Sequence, residues 1–212
     1  MSKVVIFDFD GTIADTFSTV VEIVNNLSSE YGFPKLGIEQ VSELRHRRAQ
    51  DLLGVFRISL LKIPSFIFKV KELLGGQIKN VKAFPDVLDV LKQLKDQGYT
   101  LGILSSNNIE TVNTFLKNNS IDVFDFVYSE KDLFGKARVL KNLMKRHGFA
   151  NEDVVYVGDE TRDIEAAHGA KLRIVSVGWG YNTISALEKQ KPDVLIDKPQ
   201  ELVDSVANLF SR

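Results

Sequence analysis

A parallel, doubly wound α/β sheet is the fold class this sequence predicts, and three observations predict it. Short apolar, β-rich runs recur six times in 212 residues, helix-period segments separate most of them, and 44% apolar residues suffice for a core covering both sheet faces. The predicted strands are Val4–Phe9, Thr100–Leu104, Phe126–Tyr128, Val154–Val157, Ile174–Val177 and Val194–Ile196. Helices on both faces of a Rossmann-like sheet follow from their alternation with these strands.

The first strand lies in VVIFDFDG, a run that reads as fully buried yet closes on two aspartates. From Asp15 to Phe84 no strand pattern occurs; Phe17–Tyr31, Gly37–Leu53 and Ile63–Leu74 read as helices, so this block is a helical insertion after the first strand. Its hinges are expected at Ile13–Asp15 and Gly75–Phe84. The apolar stretch SFIFKVKELL is read as the insertion's own core, with a dimer contact as the alternative. The helix Pro85–Gln97 carries clear punctuation: Pro85 near its start, Val87, Leu88, Leu91 and Leu94 on one face, Gly98 at its end. Further helices are expected at Ile109–Asn118, Lys136–His147, Thr161–Gly169, Thr183–Gln190 and Pro199–Phe210. The domain division is therefore 1–14 with 84–212 as the α/β core and 15–83 as the insertion.

Composition narrows the function. A net charge of −1 provides no basic field for nucleic acid or an anionic membrane, so neither is expected as a partner. There is no cysteine, hence no disulfide or thiolate metal site, which suits a reducing compartment; the apolar run Val4–Phe9 is too short for a signal or a span, and cytoplasm is expected.

Open parallel sheets bind ligands beyond the carboxyl ends of their strands. There the sequence places Asp8 and Asp10 at the close of the first strand, Ser105-Ser106-Asn107 after the second, Gly158-Asp159-Glu160 after the fourth and Gly178-Trp179-Gly180 after the fifth. Asp163 lies one helical turn beyond Asp159, and Lys136 starts a helix. Asp8 and Asp10 share a side if the strand persists that far. Carboxylates converging on one strand end repel one another unless a cation neutralises them, and hard oxygen ligands without His or Cys indicate Mg²⁺.

The segments DFDGTIAD, ILSSN, the pair Gly135-Lys136 and GDETRDIEAA closely resemble, in order and spacing, the four motifs of the haloacid dehalogenase superfamily of hydrolases. The resemblance spans nearly the whole chain, with the insertion where that superfamily places its C1 cap, and the tail from Val175 looks most like the phosphoglycolate phosphatase-like branch. It implies that Asp8 is a nucleophile forming an aspartyl-phosphate, and that Mg²⁺ is held by the Asp8 carboxylate, the Asp10 backbone carbonyl and Asp159. Asp10 would protonate the leaving oxygen and later take a proton from water. Ser105 fits as a hydroxyl donor to the phosphoryl oxygens, with backbone N–H groups of Phe9 and Ser106 beside it, and Lys136 adds a cation to those oxygens and to Asp8. Asp163 would orient Lys136 or a metal-bound water; Glu160 is either a supporting acid or a helix N-terminal one. Gly11 and Gly158 would let backbone approach the phosphate.

The branch more often carries Thr-Asn where this chain has Ser105-Ser106-Asn107, so either Ser106 or Asn107 meets the leaving group. Specificity is expected from the cap, whose stretch from Arg45 to Lys82 is basic; Arg45 and Arg48 in particular could read a substrate carboxylate or second phosphate, the alternative being a solvated helix face. Trp179 either walls the pocket or anchors its loop, and His46, His147 and His168 lack metal-ligand spacing. The expected activity is a Mg²⁺-dependent phosphatase acting on a small phosphorylated metabolite, by a monomer or homodimer. A β-phosphoglucomutase-type phosphotransferase and a non-catalytic binding or regulatory protein are the alternatives.

Overall fold

The computed structural model describes residues 3–47, 58–129 and 135–211. Its sheet has six parallel strands in the order β3-β2-β1-β4-β5-β6: β1 Val4–Asp8, β2 Thr100–Ser105, β3 Phe126–Ser129, β4 Val154–Gly158, β5 Arg173–Val177 and β6 Val194–Ile196. β1 is central, pairing Val4 with Thr100 on one side and with Val154 on the other. Alternation divides its side chains: Val5 and Phe7 enter one core, Val4 and Ile6 the other, which explains a run apolar at every position.

Against the Val5/Phe7 face pack α4 (Val87–Asp96), α5 (Ile109–Asn118) and α9 (Leu202–Phe210). The opposite face is covered by α6 (Lys136–His147), α7 (Thr161–Ala170) and α8 (Ile184–Glu188). The cap helices α1 (Phe17–Tyr31), α2 (Ile38–Leu44) and α3 (Ile63–Gln77) bury a third, separate cluster that includes Ile23, Leu27, Phe33 and Phe66. The chain enters and leaves the cap side by side. Asp15 N–H donates to Lys82 C=O at 3.0 Å, Phe84 N–H donates to Ile13 C=O at 3.1 Å, and Ala14 bridges Ala83 antiparallel.

Four expectations shift. The helix expected over Gly37–Leu53 ends at Leu44, because the next carbonyls bond to the core instead: Arg45 C=O accepts from Thr183 N–H and from Asn182 Nδ2. Residues 48–53 of that expectation lie outside the described residues. α3 runs through Gly75-Gly76 to Gln77, and the helix expected over Thr183–Gln190 is confined to α8. β1 stops at Asp8, so Asp10 belongs to a turn rather than to the strand. No helix among the described residues is long and apolar enough to cross a membrane.

Candidate active site

The strand order reverses direction between β1 and β4, which opens a crevice at their carboxyl ends. Asp8 closes β1 on one side of it and Asp159 follows β4 on the other. The turn after β1 is tight: Phe9 C=O accepts from Ile13 N–H and Ala14 N–H, both at 3.0 Å, and Gly11 N–H donates to Ala14 C=O. It wraps Asp159. Thr12 Oγ1 donates to Asp159 Oδ1 and Tyr181 N–H donates to Asp159 Oδ2, both at 2.7 Å. Gly11 has φ +79°, and a Cβ there would lie 2.1 Å from Asp159 Oδ2; a Cβ on Gly180 would lie 2.4 Å from both Asp159 Cβ and Gly11 C=O. Both glycines are required by close approach to this one carboxylate.

Lys136, at the start of α6, reaches Asp8 Oδ1 at 2.8 Å and also pairs with Asp163 Oδ1, with its ammonium 5.4 Å from the centre of the Tyr156 ring. Asp163 Oδ2 accepts from Glu160 N–H at 2.9 Å, closing a capping box at the start of α7. Gly158 is small for the same helix: a Cβ there would strike the Asp163 carboxylate at 2.5 Å. Asp10 Oδ2 accepts from Asn107 Nδ2 at 2.7 Å, and Asn107 N–H donates to Ser105 Oγ at 3.0 Å. Asp8 Oδ2 and Asp10 Oδ1 are buried without a hydrogen-bond partner.

Burial governs the electrostatics. It lifts the Asp8 carboxyl to about 7 against the opposing pull of Lys136 and that of Asp10 to about 6. Asp159 is pushed well up by burial and then by Glu160, Asp163 and Asp8. Burial alone would lower Lys136, but the Asp163 and Asp8 carboxylates outweigh it and hold the ammonium charged. One oxygen each from Asp8, Asp159 and Asp163 lies within 4.8 Å of the others. Asp163 already bonds through both oxygens, whereas Asp8 Oδ2 is open and each Asp159 oxygen accepts one hydrogen bond. A divalent hard cation fits this donor set, satisfying the orphaned Asp8 oxygen and cancelling charge that burial makes costly.

The expected residues therefore divide. Asp8, Lys136, Asp159 and Asp163 converge, with Asp10, Asn107 and Ser105 linked alongside. Between Ser106 and Asn107, it is Asn107 whose side chain turns to Asp10; Ser106 offers its carbonyl to Lys71 Nζ of α3 at 2.8 Å. Phe9 puts its ring in the core against Phe115. Glu160 pairs with Arg162. Trp179 anchors the first turn, donating Nε1–H to Thr12 C=O at 3.1 Å. Arg45 does not extend into open space: its Nε and Nη2 donate to Tyr181 C=O and Gly180 C=O at 3.2 and 2.8 Å. Arg48 lies outside the described residues. Sequence reasoning passed over Thr12, Arg162, Tyr181 and Asn182; the GDETR and WGYN strings that flank strand ends were the available signal for the last three.

Fold and site together define an α/β enzyme with a buried acidic centre at the switch point of a parallel sheet. The model of the haloacid dehalogenase-like hydrolases matches residues 5–177, and the chain belongs to that family. It is 34% identical over 209 residues to a phosphoglycolate phosphatase of Synechococcus elongatus, covering 98% of this chain and 99% of that one. It is 26% identical to one of Aliivibrio fischeri, covering 92% of each. A haloacid dehalogenase-like hydrolase from Streptococcus pneumoniae shares the fold with a TM-score of 0.81 at 22% identity, covering 96% of this chain and 98% of that one.

Proposed function

We propose that this hydrolase is a Mg²⁺-dependent phosphatase that cleaves a small phosphomonoester of the phosphoglycolate type through an aspartyl-phosphate. The observation that carries the reading is the Asp8 carboxylate, with one oxygen held by Lys136, the other buried and unbonded, and the group within 4.8 Å of Asp159 and Asp163 oxygens. Full-length similarity to a phosphoglycolate phosphatase supports the substrate class.

In this reading Asp8 Oδ2 attacks phosphorus and the bond from phosphorus to the ester oxygen breaks. Asp10, whose carboxyl is held up to about 6 and oriented by Asn107, delivers its proton to that departing oxygen. Water then attacks the phosphorus of the aspartyl-phosphate and gives a proton to Asp10, releasing inorganic phosphate and restoring the Asp8 carboxylate. Lys136 and Ser105 face the phosphoryl oxygens, and Asp163 aims Lys136. The Asp8 and Asp159 carboxylates and the Asp10 carbonyl would hold Mg²⁺, which when bound would supply the charge cancellation that lets one anion approach another. Residues 15–83 form the cap over the crevice and 1–14 with 84–212 the core; the paired connections at Ala14 and Ala83 and the separate apolar cluster support that division. The enzyme is read as cytoplasmic, acting on a free metabolite.

The test is phosphate release from a panel of phosphomonoesters with Mg²⁺ and with EDTA. Hydrolysis of 2-phosphoglycolate with Mg²⁺ and none in EDTA is expected. Isomerisation of a sugar phosphate without phosphate release would make the chain a phosphotransferase instead.

A further inference from the structure

The segment Gly180–Thr183, between β5 and α8, faces the cap on one side and the acidic centre on the other. On the cap side it receives the Arg45 guanidinium on the carbonyls of Gly180 and Tyr181, and Thr183 N–H donates to Arg45 C=O at 3.0 Å. The same guanidinium lies 5.1 Å from the centre of the Phe17 ring, whose own ring meets Tyr181 edge-on at 5.2 Å. On the core side Tyr181 N–H holds Asp159 Oδ2 at 2.7 Å. Asn182 is where the two sides join. Its Nδ2 donates to the carbonyls of both Arg45 and Arg47 at 2.9 Å, while its Oδ1 accepts from the N–H of Thr161, the first residue of α7, also at 2.9 Å. The side chain is buried, so a partner lost on either side is not replaced by bulk water.

We propose that Gly180–Thr183 is a latch through which docking of the cap at Arg45–Arg47 fixes the Asp159 carboxylate and the start of α7, with Asn182 as the positioning residue that couples them. Arg45 is then a strut gripping main-chain carbonyls rather than a reader of the substrate. Two groups share one short segment in which Gly180 and Asn182 are buried. Releasing the cap removes both acceptors of Asn182 Nδ2 and the guanidinium clamp on the carbonyls beside Tyr181, so the Tyr181 and Thr161 amides lose their restraint together. The proposal rests on the preceding section only in taking this acidic centre as the working one.

The test perturbs the cap side alone. Arg45 bonds to none of Asp8, Asp10, Asp159 and Asp163, so Arg45→Ala leaves those carboxylates in place, and Arg45→Lys keeps one donor should the alanine variant unfold the cap. Amide hydrogen exchange of the full chain, without metal or substrate, is expected to run about tenfold faster at Tyr181 and Thr161 in Arg45→Ala, with strand amides of β1 unchanged and partial recovery in Arg45→Lys. Mg²⁺ binding by calorimetry should weaken about five- to tenfold. In turnover of 4-nitrophenyl phosphate, kcat should fall with KM little changed. Unchanged exchange at both amides overturns the latch, as does a variant whose only effect is a raised KM for carboxylate-bearing substrates. If the wild type hydrolyses no phosphomonoester, the phosphatase reading fails while the exchange experiment still decides the coupling.

Discussion

Replacing Asp8 with asparagine should stabilise the metal-free protein while abolishing turnover. Burial raises the Asp8 carboxyl from 3.8 to about 7 despite Lys136 at 2.8 Å. A folded-state pKa above the unfolded one means that the group's contribution is favourable at low pH and is lost as pH rises from about 4 through about 7. A shift of about three units at about 1.4 kcal/mol each places roughly 4 kcal/mol of destabilisation on the ionised carboxylate at pH 8, and only about 1 kcal/mol at pH 4.5. Asparagine carries no charge, and its carbonyl can still accept from Lys136, which keeps Asp163 as its ion-pair partner. At about 2–4 °C per kcal/mol for a chain of this size, Asp8→Asn should melt about 8 °C or more above wild type at pH 8 in EDTA, and only a few degrees above it at pH 4.5. Thermal unfolding by circular dichroism at the two pH values measures this, with phosphate release assayed on the same preparations. A variant melting below wild type at pH 8, or a gap that does not change with pH, would refute the reasoning. Retained turnover would remove Asp8 as nucleophile.

Asp10→Asn should accumulate phosphorylated protein with activated aryl phosphates, or stall before it with alkyl ones, because only proton transfer is lost; intact-mass spectrometry after mixing shows which. Lys136→Ala leaves Asp8 and Asp163 buried without their cation and should cost about 3–5 kcal/mol in denaturant unfolding at pH 8. That deficit should shrink as pH falls through about 7 and Asp8 protonates. Gly180→Ala places a Cβ 2.4 Å from Asp159 Cβ and from Gly11 C=O, atoms that cannot yield cheaply, so a loss of about 1–3 kcal/mol in stability and weaker Mg²⁺ binding by calorimetry are expected.

Elements that answer to local physics were legible in the chain. All six strands lie where apolar β-rich runs predicted them; the central β1 and β4 are buried at every position and so must be apolar throughout, whereas the edge strands β3 and β6 are only partly buried. Helices α1, α5 and α6 match their expected bounds because periodicity and start or stop residues define them. The convergence of Asp8, Asp159, Asp163 and Lys136 was legible for a similar reason: strand ends of a parallel sheet open on one edge. What escaped depended on tertiary hydrogen bonds. Nothing local in VSELRHRR says that the helix stops at Leu44; Asn182, distant in sequence, takes the carbonyls beyond it. Arg45 likewise reads as a substrate-facing cation or part of a solvated helix face; its contacts to the carbonyls of Gly180 and Tyr181 come from a segment distant in sequence.

The central position of β1 has a consequence for how the chain is made. The strand precedes both of its neighbours along the chain, and these begin only at Thr100 and Val154. At elongation rates of about 5–20 residues per second, the apolar run Val4–Phe7 waits on the order of ten seconds or more before both edges can be covered. The cap's apolar cluster, by contrast, draws only on residues emerging in between and can condense during that interval. Synthesis therefore places a helical body that can pack on its own beside a strand whose partners, β2 and β4, come later.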